Sequence, residues 1–280
     1  MRRGLVLALA FAAIAPAHAG MPVTQEMTCP VGGEKFSFTT TGSYSTWGGR
    51  PDGKPYGSWR FPLDLPECPG NGLVVYKEFA SADLPRLRAL VDSADYKALR
   101  KERPYYRAAW LMRGMGESAA DVAWNINVAS WQADGEPALK RRYQEEFVRA
   151  VDALGSDAGG SKVERFAMEI RAANAERELG RFDAAAARIG RVPRPALPAA
   201  AAPAKAGSAA GWRAREDLER RRGWNGFADA LAVVIKRRDP SSEPLDMLDG
   251  RTRRARCQAL PNQGNDEPLC RGDATAGEAR

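Results

Sequence analysis

The hydrophobic period of this chain changes once, close to residue 80, and the change limits what each side of it can fold into. From Met27 to about Phe79 apolar and polar residues alternate over short runs, such as Glu34-Lys35-Phe36-Ser37-Phe38-Thr39 and Leu73-Val74-Val75-Tyr76, set among Gly, Pro, Thr, Tyr and Trp. A period of two between turn residues is the pattern of strands, so residues 20–80 read as a small, loop-rich β module. From Ser81 to Gly190 the period becomes 3.6, and residues 81–190 read as an all-helical domain. The expected fold class is α+β, with the β part first.

Helix ends are marked in the second part. Pro104 stands where a first-turn proline belongs and Gly116 where a terminating glycine does, which predicts a helix from Pro104 to Met115. Ser118 with Asp121, and Ser161 with Glu164, have capping-box spacing and start helices near Ala119 and Lys162. Pro137 and Gly155 bracket another, whose Leu139, Tyr143, Phe147, Val151 and Leu154 share one face. The expected helical core is Trp110, Trp124, Ile126, Tyr143, Phe147, Phe166 and Ile170. Residues 191–211 are an Ala/Pro-rich run without apolar periodicity and read as a linker. Residues 212–238 read as a C-terminal helix, long or broken at Gly223 and Gly226, and residues 239–280 as an irregular tail.

The start of the chain bears on compartment. Arg2 and Arg3, the apolar run Gly4 to Ile14, and Ala17-His18-Ala19 form a tripartite leader, so residues 1–19 read as a signal peptide cleaved after Ala19 and the protein as periplasmic or secreted. The apolar run is shorter than the roughly 20 residues a membrane-spanning helix needs, and no membrane span is expected. Cleavage would remove the one histidine, His18, and with it every imidazole-based triad, zinc ligand or acid–base pair. It would also take Arg2 and Arg3 from the formal charge of +7, leaving a basic chain.

Two local patterns resemble known families. Leu179-Gly180-Arg181-Phe182, preceded by Ala172 to Glu178 and followed by Ala184-Ala185, resembles the middle of a tetratricopeptide repeat, where small residues let two antiparallel helices approach. Cys29-Pro30-Val31-Gly32-Gly33 and Cys68-Pro69-Gly70-Asn71-Gly72 resemble two C-P-x-C-G zinc knuckles, with Gly32 and Asn71 at the second cysteine position of each. Two knuckles ahead of tetratricopeptide-like helices are similar to an uncharacterised bacterial family, a domain of unknown function. The similarity runs roughly from Met27 to Val192 and implies a zinc-ribbon-like module followed by helical hairpins. With one cysteine gone from each knuckle, the resemblance implies that the remaining two thiols face a common centre. The expected pairing is Cys29 with Cys68 in the β module and Cys257 with Cys270 in the tail, without metal. A single four-cysteine zinc site is the competing arrangement.

Chemistry-bearing motifs are sparse. There is no Walker loop, no G-x-G-x-x-G after a strand and no G-x-S-x-G elbow, so no cofactor is expected. Trp47, Tyr56 and Trp59, in a glycine-rich stretch, are candidate ligand-contact aromatics, but in a small module with few aliphatics these rings are expected first of all to form the core. Asp64 with Glu67, and Asp246 with Asp249, are the acidic pairs available for glycosidase-type chemistry. The reading that follows is a protein- or peptide-binding or scaffolding module that acts through its helical domain, in a groove between helical hairpins, its partner an envelope protein or peptide, with an anionic envelope polymer second and nucleic acid not expected. The alternative is a carboxylate-dependent enzyme acting on an envelope polymer.

Overall fold

A computed structural model describes residues 20–155, 161–197, 208–260 and 268–271. The leader lies outside the described residues. Four strands come first: β1 (Met21–Thr28), β2 (Lys35–Ser43), β3 (Thr46–Gly49) and β4 (Pro55–Gly57). Helices follow: α1 (Leu84–Asp92), α2 (Ala94–Ala98), α3 (Pro104–Met115), α4 (Ala119–Gln132), α5 (Pro137–Asp152), α6 (Lys162–Glu178), α7 (Phe182–Arg191), α8 (Ala209–Lys236), α9 (Gly250–Ala259) and α10 (Pro268–Arg271). The mixed class holds, with a β region ahead of helices.

The strands form two separate antiparallel ribbons, β1–β2 and β3–β4. β1 pairs with β2 from Thr28↔Lys35 to Val23↔Thr40. Cys29 and Cys68 are joined, and they stand at the head of two turns with one hydrogen-bond scheme. Gly33 N–H donates to the Cys29 carbonyl (3.1 Å) and Cys29 N–H to that of Glu34 (2.8 Å); Gly72 N–H donates to Cys68 (2.9 Å) and Cys68 N–H to Leu73 (2.9 Å). Among the described residues one group of three candidate metal ligands occurs, Cys29, Glu34 and Cys68, and the disulfide uses two of them.

Leu73 to Tyr76 is not a strand. It contributes one isolated bridge, Glu67↔Val74, because Leu73 and Val74 are fully buried against helices and the Val74 N–H donates to the Tyr96 hydroxyl (3.1 Å). That burial belongs to a cluster in which Cys29, Val31, Cys68, Leu73 and Val74 pack with Leu87, Val91, Tyr96, Ala108 and Leu111. The core therefore runs through the boundary expected at residue 80.

The helices start and stop where their punctuation places them. Ser118 Oγ accepts from Asp121 N–H, and Ser161 and Glu164 form a complete capping box. Gly116 closes α3 in the left-handed region, φ 81°. Gly180, φ 78°, turns the chain between α6 and α7, a helical hairpin. Ile126, Tyr143, Phe147, Phe166 and Ile170 are buried, whereas Trp110 and Trp124 are only partly so. Phe147 is fully buried in the cluster with Val122, Ile126 and Val151, so its truncation would leave a void in the helical core.

Of the C-terminal expectations, the helix takes its long alternative and the linker and tail change. α8 is one unbroken helix of 28 residues through Gly223 and Gly226, and it packs inward only near its end, through Ala228, Leu231, Val234 and Ile235; Trp212 is exposed. The start of the linker is docked: Pro195 is buried, its carbonyl accepts from Asn225 Nδ2 (3.1 Å), and Arg194 pairs with Asp229 (2.6 Å). The tail is not wholly irregular. Asp249 caps α9 by accepting from Arg251 N and Thr252 N (3.0 Å each), and Cys257 of α9 is joined to Cys270 of α10. A real cap and a cross-link supply what apolar periodicity does not. Among the described residues no helix is long and apolar enough to cross a membrane.

Candidate functional site

The three aromatics singled out from sequence converge. Trp47 on β3, Tyr56 on β4 and Trp59 just beyond line one side of an open cleft of about 540 Å³, with Phe61 beneath; α9 forms the other side. Arg251, Thr252, Ala255, Arg256 and Ala259 line it, at a spacing that puts them on one helical face. None of the three rings is fully buried, and Trp47 is 46% exposed, so they wall a surface cleft rather than fill the module's core. That core is the disulfide cluster described above.

The wall is fixed by polar contacts. Tyr56 Oη donates to Glu243 Oε1 (3.0 Å), and Glu243 also pairs with Arg256, so one carboxylate joins β4 to α9. Burial, then the Glu243 charge, raises the Tyr56 phenol above its ordinary value, and it stays a donor throughout the physiological range. Arg60 at the rim pairs with Asp64. α9 carries Arg251, Arg253, Arg254 and Arg256 and no acid, and no described carboxylate pairs with Arg251. The cleft thus combines aromatic faces with a cationic edge, a setting for an anionic group attached to an apolar or planar one.

The acidic pairs proposed from sequence are otherwise engaged. Asp64 is held by Arg60, Glu67 by the buried Arg107, Asp246 by Arg237 (2.5 Å), and Asp249 caps α9. The disulfide cysteines Cys29, Cys68, Cys257 and Cys270 are structural, with no free thiol among the described residues.

What sequence reasoning missed is the anchor under the cleft. The β3–β4 turn, Arg50-Pro51-Asp52-Gly53, enters the helical domain with Arg50 9% and Asp52 3% exposed. Arg50 pairs with Asp52 and with Asp134 (2.8 Å), and Asn127 Nδ2 donates to the Asp52 carbonyl (2.9 Å). Burial opposes the Arg50 charge, but Asp52 and Asp134 outweigh it and raise its pKa. Burial likewise opposes charge on Asp134, and hydrogen bonds from Arg50, Lys54 and Lys140 outweigh it, holding that carboxyl far below the usual range. Lys140 Nζ reaches Asp134 (2.9 Å) and Glu178 (3.5 Å), whose carboxyl is raised by burial and then by the Asp52 charge. Gly53 has φ 94°, which strains any other residue, and it packs tightly: a Cβ would lie 3.2 Å from Trp124 and 3.4 Å from Trp131. A turn of Gly, Pro, Asp and Arg ordinarily signals solvent, and no local feature of the sequence says otherwise.

No family model, curated protein or solved structure matches this chain.

Proposed function

We propose that this protein is a binding module of the cell envelope that holds an acidic peptide segment of a partner in the cleft between β3–β4 and α9. The observation that carries this is the convergence of Trp47, Tyr56 and Trp59 on a helix with four arginines and no acid. The helices, in tetratricopeptide-like hairpin packing, act as the frame that holds the β3–β4 turn. The two disulfides are consistent with a location outside the cytoplasm, and export to the periplasm by the N-terminal leader completes the reading. Kinship with the zinc-knuckle family of unknown function rests on the two matching cysteine turns.

Titration with oligoglutamate and with oligogalacturonate tests it. Oligoglutamate should bind with an affinity that falls steeply from 50 to 300 mM salt, and Trp47→Ala and Arg251→Ala should each weaken it by roughly tenfold, the effect of losing about 1.4 kcal/mol of contact. Tighter binding of the galacturonate would move the assignment to an anionic envelope polymer. Equal affinities for wild type and both variants would refute the cleft as the site.

A further inference from the structure

Between α4 and α6, away from the residues of the aromatic cleft, lies a second cleft of about 500 Å³ that holds a cation, Arg171, with no direct ion pair among the described residues. Arg171, on α6, places its guanidinium carbon over the Trp124 ring at 4.7 Å and over the Trp224 ring at 4.4 Å. The indoles come from α4 and α8, so three helices build the setting. Gly53 packs beside the guanidinium: a Cβ added there would lie 3.3 Å from Arg171 Nε. Arg171 is half-buried, and the fully buried arginines nearby have acceptors: Arg188 bonds Glu169, Glu176 and Asp152, and Arg177 bonds Asn174 and the carbonyls of Asp239 and Ser241. No described residue accepts a hydrogen bond from Arg171. A guanidinium offers five in-plane N–H donors, and ring contacts occupy its faces rather than those donors.

We infer that Arg171 is the recognition group of a site for a small monocarboxylate with a compact apolar body. A planar carboxylate matches the guanidinium fork, and the ion pair would supply the acceptors that the protein withholds. Ala120, Ala167 and Met168 offer the rest of the ligand an apolar wall. Asp121 and Glu164 also border the cleft, each held by a serine at the start of its helix, Asp121 by Ser118 Oγ (2.6 Å) and Glu164 by Ser161 N (2.6 Å). Two fixed negative charges near one positive charge repel phosphate and other polyanions while leaving one carboxylate tolerable. Burial lowers the Arg171 pKa to about 10, with the Asp52 charge pulling the other way, so the group is still a cation at neutral pH but a poorly solvated one. An anion that relieves this desolvation gains more than it would at an exposed arginine.

The test is calorimetric titration of the full chain with 4-methylpentanoate, its amide, leucine and inorganic phosphate. The acid should bind saturably, and the amide, lacking the charge, should bind at least tenfold more weakly, the loss expected for one charged hydrogen-bonded contact. Whichever of 4-methylpentanoate and leucine binds more tightly identifies the source of the carboxylate, a simple acid or an amino acid. Arg171→Gln should abolish binding, and Arg171→Lys should weaken it by about tenfold, because a lysine keeps the charge without the fork. Thermal melting separates recognition from a purely structural stack. Ligand should raise the wild-type melting temperature but not that of Arg171→Gln, and Trp47→Ala should bind the acid like wild type. Equal binding of acid and amide, effective competition by phosphate, or no saturable binding of either carboxylate would overturn the site.

Discussion

The two β-ribbons are alike in kind and opposite in how they are held. β1–β2 projects with nearly all of β1 exposed, and it is fastened at its base by the Cys29–Cys68 disulfide and the apolar cluster around it. β3–β4 has shorter strands, yet its turn is buried in the helical domain through Arg50, Asp52 and Gly53. An isolated two-stranded ribbon is marginal in water, so each needs an external support. One takes a covalent link and the other a set of ion pairs. The ionic support is the one under the proposed binding cleft, because it holds the ribbon that bears Trp47 and Tyr56.

If that contrast is right, the largest effect comes from Asp52→Ala. It leaves Arg50 buried with only Asp134, and the loss should be about 3–5 kcal/mol, as for breaking a buried pair. Urea unfolding should show it, together with loss of ligand binding in the aromatic cleft. A drop below about 0.5 kcal/mol, the range of ordinary surface changes, would mean that the turn is not an anchor.

Replacing both Cys29 and Cys68 by alanine should cost about 2–5 kcal/mol, the usual consequence of losing a native disulfide. Here the contrast sharpens: affinity at the aromatic cleft should be retained under conditions where the double variant is folded. Equal loss of binding in this variant and in Asp52→Ala would show that the ribbons are not independently supported.

The smallest expected effect is on pH dependence. Asp134 has its folded pKa depressed below the unfolded value of about 3.9, so its contribution is complete above that value and is lost as pH falls from there toward the folded pKa. Asp134→Asn should therefore lower the wild-type urea midpoint at pH 7 and reduce its decline below pH 4. Parallel acid limbs for the two proteins would remove Asp134 from the anchor.

The helical frame was legible because its signals are local. Pro104, Gly116, Ser118 and Ser161 mark ends by what they do to their own backbone and the next turn, and the observed helices begin and end with them. The convergence of aromatics was legible only as residue types. The arginine wall was not, since α9 has no apolar period and depends on the Asp249 cap and the Cys257 link. Arg50 and Asp52 were invisible for a different reason. Their burial depends on Asp134, 84 positions from Arg50, and on Asn127, 75 positions from Asp52. The same holds for Leu73 and Val74, which alternate like a strand but are buried by helices that come later in the chain.

The hydrogen bond from Tyr56 to Glu243 spans 187 positions and has a consequence for when the protein first becomes competent. A nascent chain that has completed both ribbons and α1 to α7 still has only half a cleft. The opposite wall arrives only with α9, after α8, and Cys257 finds Cys270 later still. Contacts of such long separation form late, after the local helices. The cleft is therefore complete only once α9 has docked, and a chain truncated before residue 250 would carry the aromatic platform as an unguarded surface with nothing to close it.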